Sequence, residues 1–545
     1  MTNDPYTPLA DSDQADAVVD DAVQLARTWL SATEDEDDQA TEQLADLLRS
    51  DQGIKFTMDF VDRVMRPEDD KTAADALNTI NQEFDPAFLG RVNALMIGAG
   101  AFFGPILPNL VMPLARMRMR QMVGHLVLDA ESDALNTTLD KAKESGEQLN
   151  LNLLGEMVLG EEEAQRRSKN ILNLIRNPRV TYVSVKASSV VAQLNQWDID
   201  GSVDRLKDRL RPLYEEAVKR SPNVFINMDM EEYHDLHLTI RLFKELISEP
   251  DFKNLETGIV LQAYLPDTFE AIQDLAQFAK ERVADGGAPI KIRLVKGANL
   301  SMEHVQGEVH NWPVAPYVTK AEVDANYYRL LDYVVREEFA GCLRIGVATH
   351  NLYTAAFAYH LGVKRGVLDM LDSEMLQGMS PAQQAAVRDF FSGRQILYTP
   401  VVHMEDFDVA VSYLVRRLEE NSASQNFLYA LFAPEEEGNN GRTPLEDQEA
   451  FFRNAVDTRW DTFAGARRDQ NRKEEIGSGR QAEQTGRFNN EPDTDPALQP
   501  NREWALEALA NNPGESTVEE VSDVSTIDAA VAKAKELSRD WSAKT

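Results

Sequence analysis

Between Asn150 and Val402 the chain repeats one unit, a short run of β-branched and aliphatic residues followed by an amphipathic helical stretch. The runs are Asn150 to Val158, Thr181 to Ala187, Val224 to Asp229, Gly258 to Leu265, Pro289 to Ala298, Leu343 to Asn351, Ser373 to Gly378 and Gln395 to Val402. Eight strands alternating with helices over roughly 280 residues is the pattern of a (β/α)8, TIM-like barrel in the α/β class. Residues 1–148 read as a mainly helical region before it, with apolar spacings of three and four in Asp20 to Leu30 and Thr41 to Leu48. The barrel domain is expected to run over 149–460, a polar linker over 461–500, and a further helical start over 501–545.

Charge narrows the partners. Acidic residues outnumber basic ones 91 to 56, for a net charge of −35, which repels phosphate backbones and anionic lipid heads. The acidic run Glu34 to Asp38 reads as a solvated segment. A single cysteine, Cys342, excludes an intrachain disulfide and fits a reducing, cytoplasmic setting. It opens an apolar run, so it reads as buried filler rather than a nucleophile. The acidic first thirty residues do not resemble a secretory signal. Val92 to Ala115 carries no charge over a length that could reach across a bilayer, but Pro105, Pro108, Pro113 and three glycines interrupt it. Burial as a broken helix is expected there, with peripheral membrane contact as the other reading.

In such barrels ligands bind at the carboxyl ends of the strands. Those ends carry Glu156, Lys186, Asp229, Gln262, Arg293 with Lys296, Thr349 with His350, and Tyr398; a following helix adds Arg416, Arg417 and Glu420. Cations converging on one cavity suit a carboxylate, a phosphate-bearing cofactor, or both. Arg416 and Arg417 are adjacent and diverge by about 100 degrees on a helix, so a solvated face is the plain alternative. His234 and His237 could begin a metal site, as in a metal-dependent barrel hydrolase, although the strand ends offer cations where further ligands are needed. No Gly-rich dinucleotide fingerprint or phosphate-binding lysine loop is present.

At these residues the chain resembles the proline dehydrogenase family, most closely the flavin domain of bifunctional proline utilization A proteins. NLLGE (152–156), VSVKAS (183–188), INMD (226–229), LQAY (261–264), RLVKGA (293–298), ATHN (348–351), LQGM (376–379), YTPV (398–401) and YLVRRLEEN (413–421) occur in family order. The resemblance implies FAD-dependent oxidation of L-proline to Δ1-pyrroline-5-carboxylate, with hydride transfer from C5 to flavin N5 and electrons passed to a quinone. It implies that Lys186, Arg416 and Arg417 clamp the proline carboxylate, that Glu156 pairs with Arg416, and that Asp229 orients Lys186. Arg293 matches the arginine set against flavin N5, and Met230, Gln262, Val295, Lys296, Gly297, Lys320, Thr349, His350 and Glu420 match cofactor contacts; no metal is implied.

Two departures bear on specificity and regulation. Asn299 stands where many relatives have an aromatic residue, while Tyr398, which shapes the family pocket against hydroxyproline, is kept. Proline is therefore the expected substrate, with a related cyclic amino acid such as hydroxyproline as the alternative. The acidic, helical first fifty residues offer no basic strand for a DNA groove, so no nucleic-acid binding is expected. Residues 488–509 resemble the start of the family's aldehyde dehydrogenase module, and the chain is expected to lack that module's chemistry. A homo-oligomer is compatible with the sequence.

Overall fold

The computed structural model describes residues 6–33, 51–67, 69–84, 91–123, 126–130, 133–155, 157–391, 394–403, 425–432, 441–475, 490–511 and 520–543, with 406, 410, 413, 417, 420 and 423. The acidic run Glu34 to Asp38 and the expected helix at Thr41 to Leu48 lie outside them.

The strands are β1 (Glu147–Leu153), β2 (Tyr182–Lys186), β3 (Phe225–Asp229), β4 (Thr257–Gln262), β5 (Ile290–Val295), β6 (Leu343–Ala348), β7 (Leu371–Leu376) and β8 (Gln395–Val402). Each pairs in parallel with the next, and β8 closes the ring on β1 through Glu147 to Leu153 against Gln395 to Val401. The expected (β/α)8 barrel is thus present, and closure leaves no unpaired edge within it. A two-residue strand, Leu128–Asp129, adds to the far end of β8. The expected strands overran at their carboxyl ends, at Val158, Leu265, Ala298 and Asn351. There the ladder stops and the chain turns, leaving polar side chains to face the cavity.

Helices between the strands bury one stripe each against the barrel. Leu352–Lys364, after β6, carries the N-terminal helix Val19–Thr33, which seats Ala22, Ala26 and Trp29; the Trp29 ring meets Phe390 edge-on at 5.1 Å. The helix Lys320–Val334, after β5, is buried along most of its length because Pro444–Asp457 covers its outer face. Both helices begin with a complete capping box, Thr319 with Glu322 and Thr443 with Glu446.

A second core lies within the helices of residues 51–123, around Phe56, Phe60, Leu77, Ile80, Ala101 and Met112. It corrects one expectation. Val92 to Ala115 is broken as expected, between Arg91–Phe103 and Pro108–Val123, but it is buried on one face only, at Ala101 and Met112. Leu95 is 75% exposed and Phe102 69%, and Phe103, Ile106, Leu110 and Leu114 are also exposed. A helical hairpin offers one face to its core, and this one is apolar on the other as well. No helix among the described residues is long and apolar enough to cross a membrane.

The chain forms two compact units: Met1–Asp469 with Gly486–Ala497, and Gln470–Thr485 with Leu498–Thr545. Parts of the polar stretch 461–500 belong to the first unit. Arg468 is buried there, ion-paired with Asp495 at 3.3 Å and stacked on Trp312 and Tyr233. Composition alone hid this, since a polar segment can still bury one paired arginine. The second unit contains Gln499–Ala510 and Val524–Ser542; the latter matches the expected helix and buries none of its residues.

One buried carboxylate ties the first unit's outer segments to the barrel. Asp332 accepts from Ser12 Oγ at 2.8 Å, Arg365 Nη2 at 2.6 Å, Arg459 Nε at 2.9 Å and Trp460 Nε1 at 3.1 Å. Removing one partner from such a cluster strands the others' charge. Asp332→Ala is expected to lower the unfolding free energy by about 3–5 kcal/mol, read from urea melts; a loss below about 1 kcal/mol would contradict the stapling role.

Candidate active site

The barrel lumen holds charge. Alternation places Lys291, Arg293 and Val295 on one face of β5, and the contacts of the first two show which face it is. Arg293 donates from Nε to Glu374 Oε2 on β7 at 2.5 Å and from Nη1 to Asp229 Oδ1 on β3 at 3.3 Å. Its guanidinium also lies 5.3 Å over the Tyr398 ring of β8. None of these strands neighbours β5, so the side chain crosses the interior. Lys291 sits one step nearer the amino ends, with Nζ 2.6 Å from Glu374 Oε1 and 2.9 Å from Asp372 Oδ2.

Burial alone would raise the Glu374 carboxyl, but Arg293 and Lys291 outweigh it and hold it below its usual range. Space for this cluster comes from Gly346, which faces Arg293 across the β5–β6 ladder. A Cβ there would fall 2.0 Å from Glu374 Oε1 and 2.9 Å from Lys291 Cε.

Above the cluster, Asp229 is held among Arg293, Asn227 Nδ2 at 3.0 Å and the Tyr398 hydroxyl at 3.3 Å. Burial raises its carboxyl despite Arg293 and Lys186. Asn152 donates to the Tyr398 oxygen from the other side. The Lys186 ammonium pairs with Glu231 Oε1 at 2.5 Å, and Ser188 donates to Glu231 Oε2 at 3.1 Å. Glu231, on the loop beyond β3, thus makes the direct contact to Lys186, while Asp229 meets it through charge. Arg417 pairs with Glu420 at 2.6 Å and lies over the Tyr413 ring at 5.2 Å. Glu156 and Arg416 lie outside the described residues.

The rim of β4 to β6 carries polar atoms of another kind. Gln262 donates to the carbonyls of Met230 at 3.2 Å and Glu231 at 2.9 Å, which leaves its buried Oε1 without a partner among the described residues. Arg293 Nη2 is likewise buried and without a partner among the described residues. His350 Nε2 accepts from the Leu376 N–H at 2.9 Å, so in the neutral ring the proton sits on Nδ1, which has no acceptor among the described residues. Burial, then the Arg417 charge, pushes the His350 pKa down to about 4.

Thr349 accepts from the Asn351 N–H at 3.0 Å beside it. Gly297 has φ +125°, and the Tyr264 ring occupies the place a Cβ would take, 2.4 Å away. Lys296 and Lys320 share Asp324, the first at 2.5 Å, and burial followed by the Lys296 charge lowers Lys320 to about 8. Two lysines, a neutral imidazole N–H, a guanidinium edge and an amide oxygen fit a large polar heterocycle carrying phosphate.

Sequence reasoning missed Lys291, Glu374, Asp372, Glu231, Asn152, Asp324 and Ser184, whose Oγ on β2 accepts from Arg293 Nη1 at 3.4 Å. A signal existed for the pair on β7, because in LDSEML the two acids stand two apart inside a strand-like run, and residues two apart on a strand share one face. His234 lies beside Glu232 at 3.2 Å and Asp235 at 3.4 Å. Among the described residues no group of three or more His, Cys, Asp or Glu could hold a metal ion.

Comparison with known proteins converges on this region. The family model described as proline dehydrogenase matches residues 135–430, more than half of the chain. The bifunctional protein PutA of Salmonella typhimurium is 26% identical over 308 residues, 53% of this chain and 22% of that protein. The proline dehydrogenase of Deinococcus radiodurans is 28% identical over 278 residues, 48% of this chain and 81% of that one. Among solved structures, proline utilization A from Corynebacterium freiburgense is 54% identical with a TM-score of 0.65, over 76% of this chain and 39% of that chain. The Bdellovibrio bacteriovorus protein, inactivated by N-propargylglycine, is 27% identical with a TM-score of 0.69, over 90% of this chain and 48% of that one. The chain spans about a fifth of the length of the curated PutA relatives.

The neutral His350 has a measurable consequence. Its pKa near 4 lies below the unfolded value of 6.5, so the unfolded state binds its proton first as pH falls. The stability it contributes is full above about pH 6.5 and is lost on descent toward pH 4, at up to about 1.4 kcal/mol per pH unit. Urea melts of His350→Gln are expected to fall less steeply over that window than those of the wild type; parallel curves would show that His350 is charged in the fold.

Proposed function

The chain belongs to the proline dehydrogenase family, and we propose that it oxidises L-proline to Δ1-pyrroline-5-carboxylate with bound FAD. The observation that carries this reading is Arg293, buried in the lumen by Glu374 and Asp229, with Nη2 without a partner among the described residues. FAD, when bound, supplies the acceptor for the hydride leaving C5. The residues that would hold it are Gln262, Met230, Arg293, Val295, Lys296, Gly297, Lys320, Thr349, His350 and Glu420. His350 offers a donor and no charge, while Lys296 and Lys320 offer charge for the phosphates.

The chain's own task toward proline is positioning. Lys186 and Arg417, with Arg416, hold the carboxylate; Glu156 pairs with Arg416. Lys186 and Arg417 are already ordered by Glu231 and Glu420, so their placement costs little on binding. Asp229 keeps Arg293 and Tyr398 in register. The Tyr398 ring, held at its hydroxyl by Asn152 and Asp229, is a fixed wall, which favours proline over hydroxyproline. Asn299 is buried at the start of the helix Leu300–His310, where it can shape the opposite wall.

Electrons would leave to a quinone, and a peripheral membrane contact would bring the site to it. The hairpin of residues 91–123 supports such a contact: its outward face is apolar, and residues 86–128 contain no Asp or Glu in a chain of 91 acids. The resemblance of residues 488–509 to the start of an aldehyde dehydrogenase module supports a bifunctional protein of the PutA kind.

Three measurements test the reading. L-Proline added anaerobically should bleach a flavin absorbance in the purified protein; a flavin that stays oxidised would exclude proline. Arg417→Met should raise the KM for proline about 10- to 150-fold, the worth of one charged hydrogen bond, with a smaller change in kcat; a fall in kcat at constant KM would remove Arg417 from the clamp. Leu95→Ser/Phe102→Ser should weaken sedimentation with phospholipid vesicles at unchanged proline turnover in solution, and equal sedimentation would put the membrane contact elsewhere.

A further inference from the structure

We propose that Lys291 is a positioning residue for Arg293 and that, through the carboxylate they share, it raises the reduction potential of the bound flavin. The inference rests on the flavin reading above and adds to it a residue that would not touch the cofactor.

Lys291 and Arg293 stand two residues apart on the same face of β5, and Glu374 separates them by dividing its oxygens, Oε1 to Lys291 at 2.6 Å and Oε2 to Arg293 at 2.5 Å. Asp372 takes the other side of Lys291 at 2.9 Å, and itself pairs with Arg344 at 2.6 Å. The lysine side chain is 1% exposed, with its ammonium 5.5 Å above the Tyr182 ring. Barrel lumens are ordinarily packed with branched apolar residues, and a buried ion cluster gains little stability over such packing. Its field is another matter, because charges separated by protein rather than water act over several ångströms.

With Lys291 in place, two carboxylates meet two lumen cations and Arg293 keeps its positive field toward the rim. Without it, Glu374 and Asp372 would stand behind Arg293 with one countercharge fewer on β5. The reduced flavin carries more negative charge than the oxidised form, so a weaker positive field disfavours reduction. Gly346 gives this arrangement its room, since any side chain there would displace Glu374 or Lys291.

The test is the midpoint potential of the bound flavin, measured by anaerobic dye-linked titration in wild type, Lys291→Met, Asp372→Asn and the double variant. Lys291→Met is expected to shift the midpoint negative, Asp372→Asn to shift it positive, and the double variant to return toward wild type. Asp372→Asn and the double variant decide the question if Lys291→Met alone does not fold. Midpoints that stay together, or single variants that move the same way, would overturn the charge role and leave Lys291 structural. Wild-type protein that takes up no flavin would instead sink the reading beneath it.

Discussion

Glu374 is the carboxylate on which the interior of this barrel depends. Burying an ion in protein is costly unless its partners are close and well aimed, and Glu374 meets that condition for two cations at once. Lys291 and Arg293 both arrive from β5, so a single strand supplies the positive charge and β7 the negative. The barrel's closure makes the pairing possible, because strands two apart in the ladder face each other only across a lumen.

From that pair the site grades outward. Arg293 is shared between Glu374 below and Asp229 above, and Asp229 holds Tyr398, whose hydroxyl is also held by Asn152. With Ser184 Oγ accepting from Nη1 at 3.4 Å, the four strands β2, β3, β7 and β8 converge on one guanidinium through hydrogen bonds or ring contact, which leaves it few other positions. Nearer the rim the groups become separable into two kinds. Lys186 and Arg417 are cations with a carboxylate beside each, suited to a small anion. Gln262 Oε1, His350 Nδ1 and Arg293 Nη2 are polar atoms without a partner among the described residues, suited to the edge of a heterocycle.

The periphery obeys the same rule with different residues. Asp332 gathers Ser12, Arg365, Arg459 and Trp460, so segments more than 440 residues apart in sequence close over one helix of the barrel. The hairpin of residues 91–123 departs from it, exposing a run of apolar side chains in a chain whose net charge is −35. Its two short helices bury one face against Phe56 and Leu77 and leave the other outward.

Much of this was legible in one dimension. Period-two runs alternating with period-3.6 stretches dictate strands and helices, and eight of them dictate a closed parallel ring. Arg293, Asp229 and His350 were legible too, as polar residues at the ends of those runs. Residues whose meaning depends on what lies across the lumen were not. Lys291 is one basic residue inside an apolar strand until Glu374 and Asp372 stand opposite it, Glu231 is one acid among several until Lys186 reaches it, and the apolar stretch at 92–115 is buried or exposed according to how many neighbours its helices find. Local pattern determined which elements form and in what order, because backbone hydrogen bonding and side-chain periodicity act over a few residues. Only the tertiary structure decided which charges pair and which faces stay bare, because burial and Coulomb energy depend on distances between residues that sequence spacing does not contain.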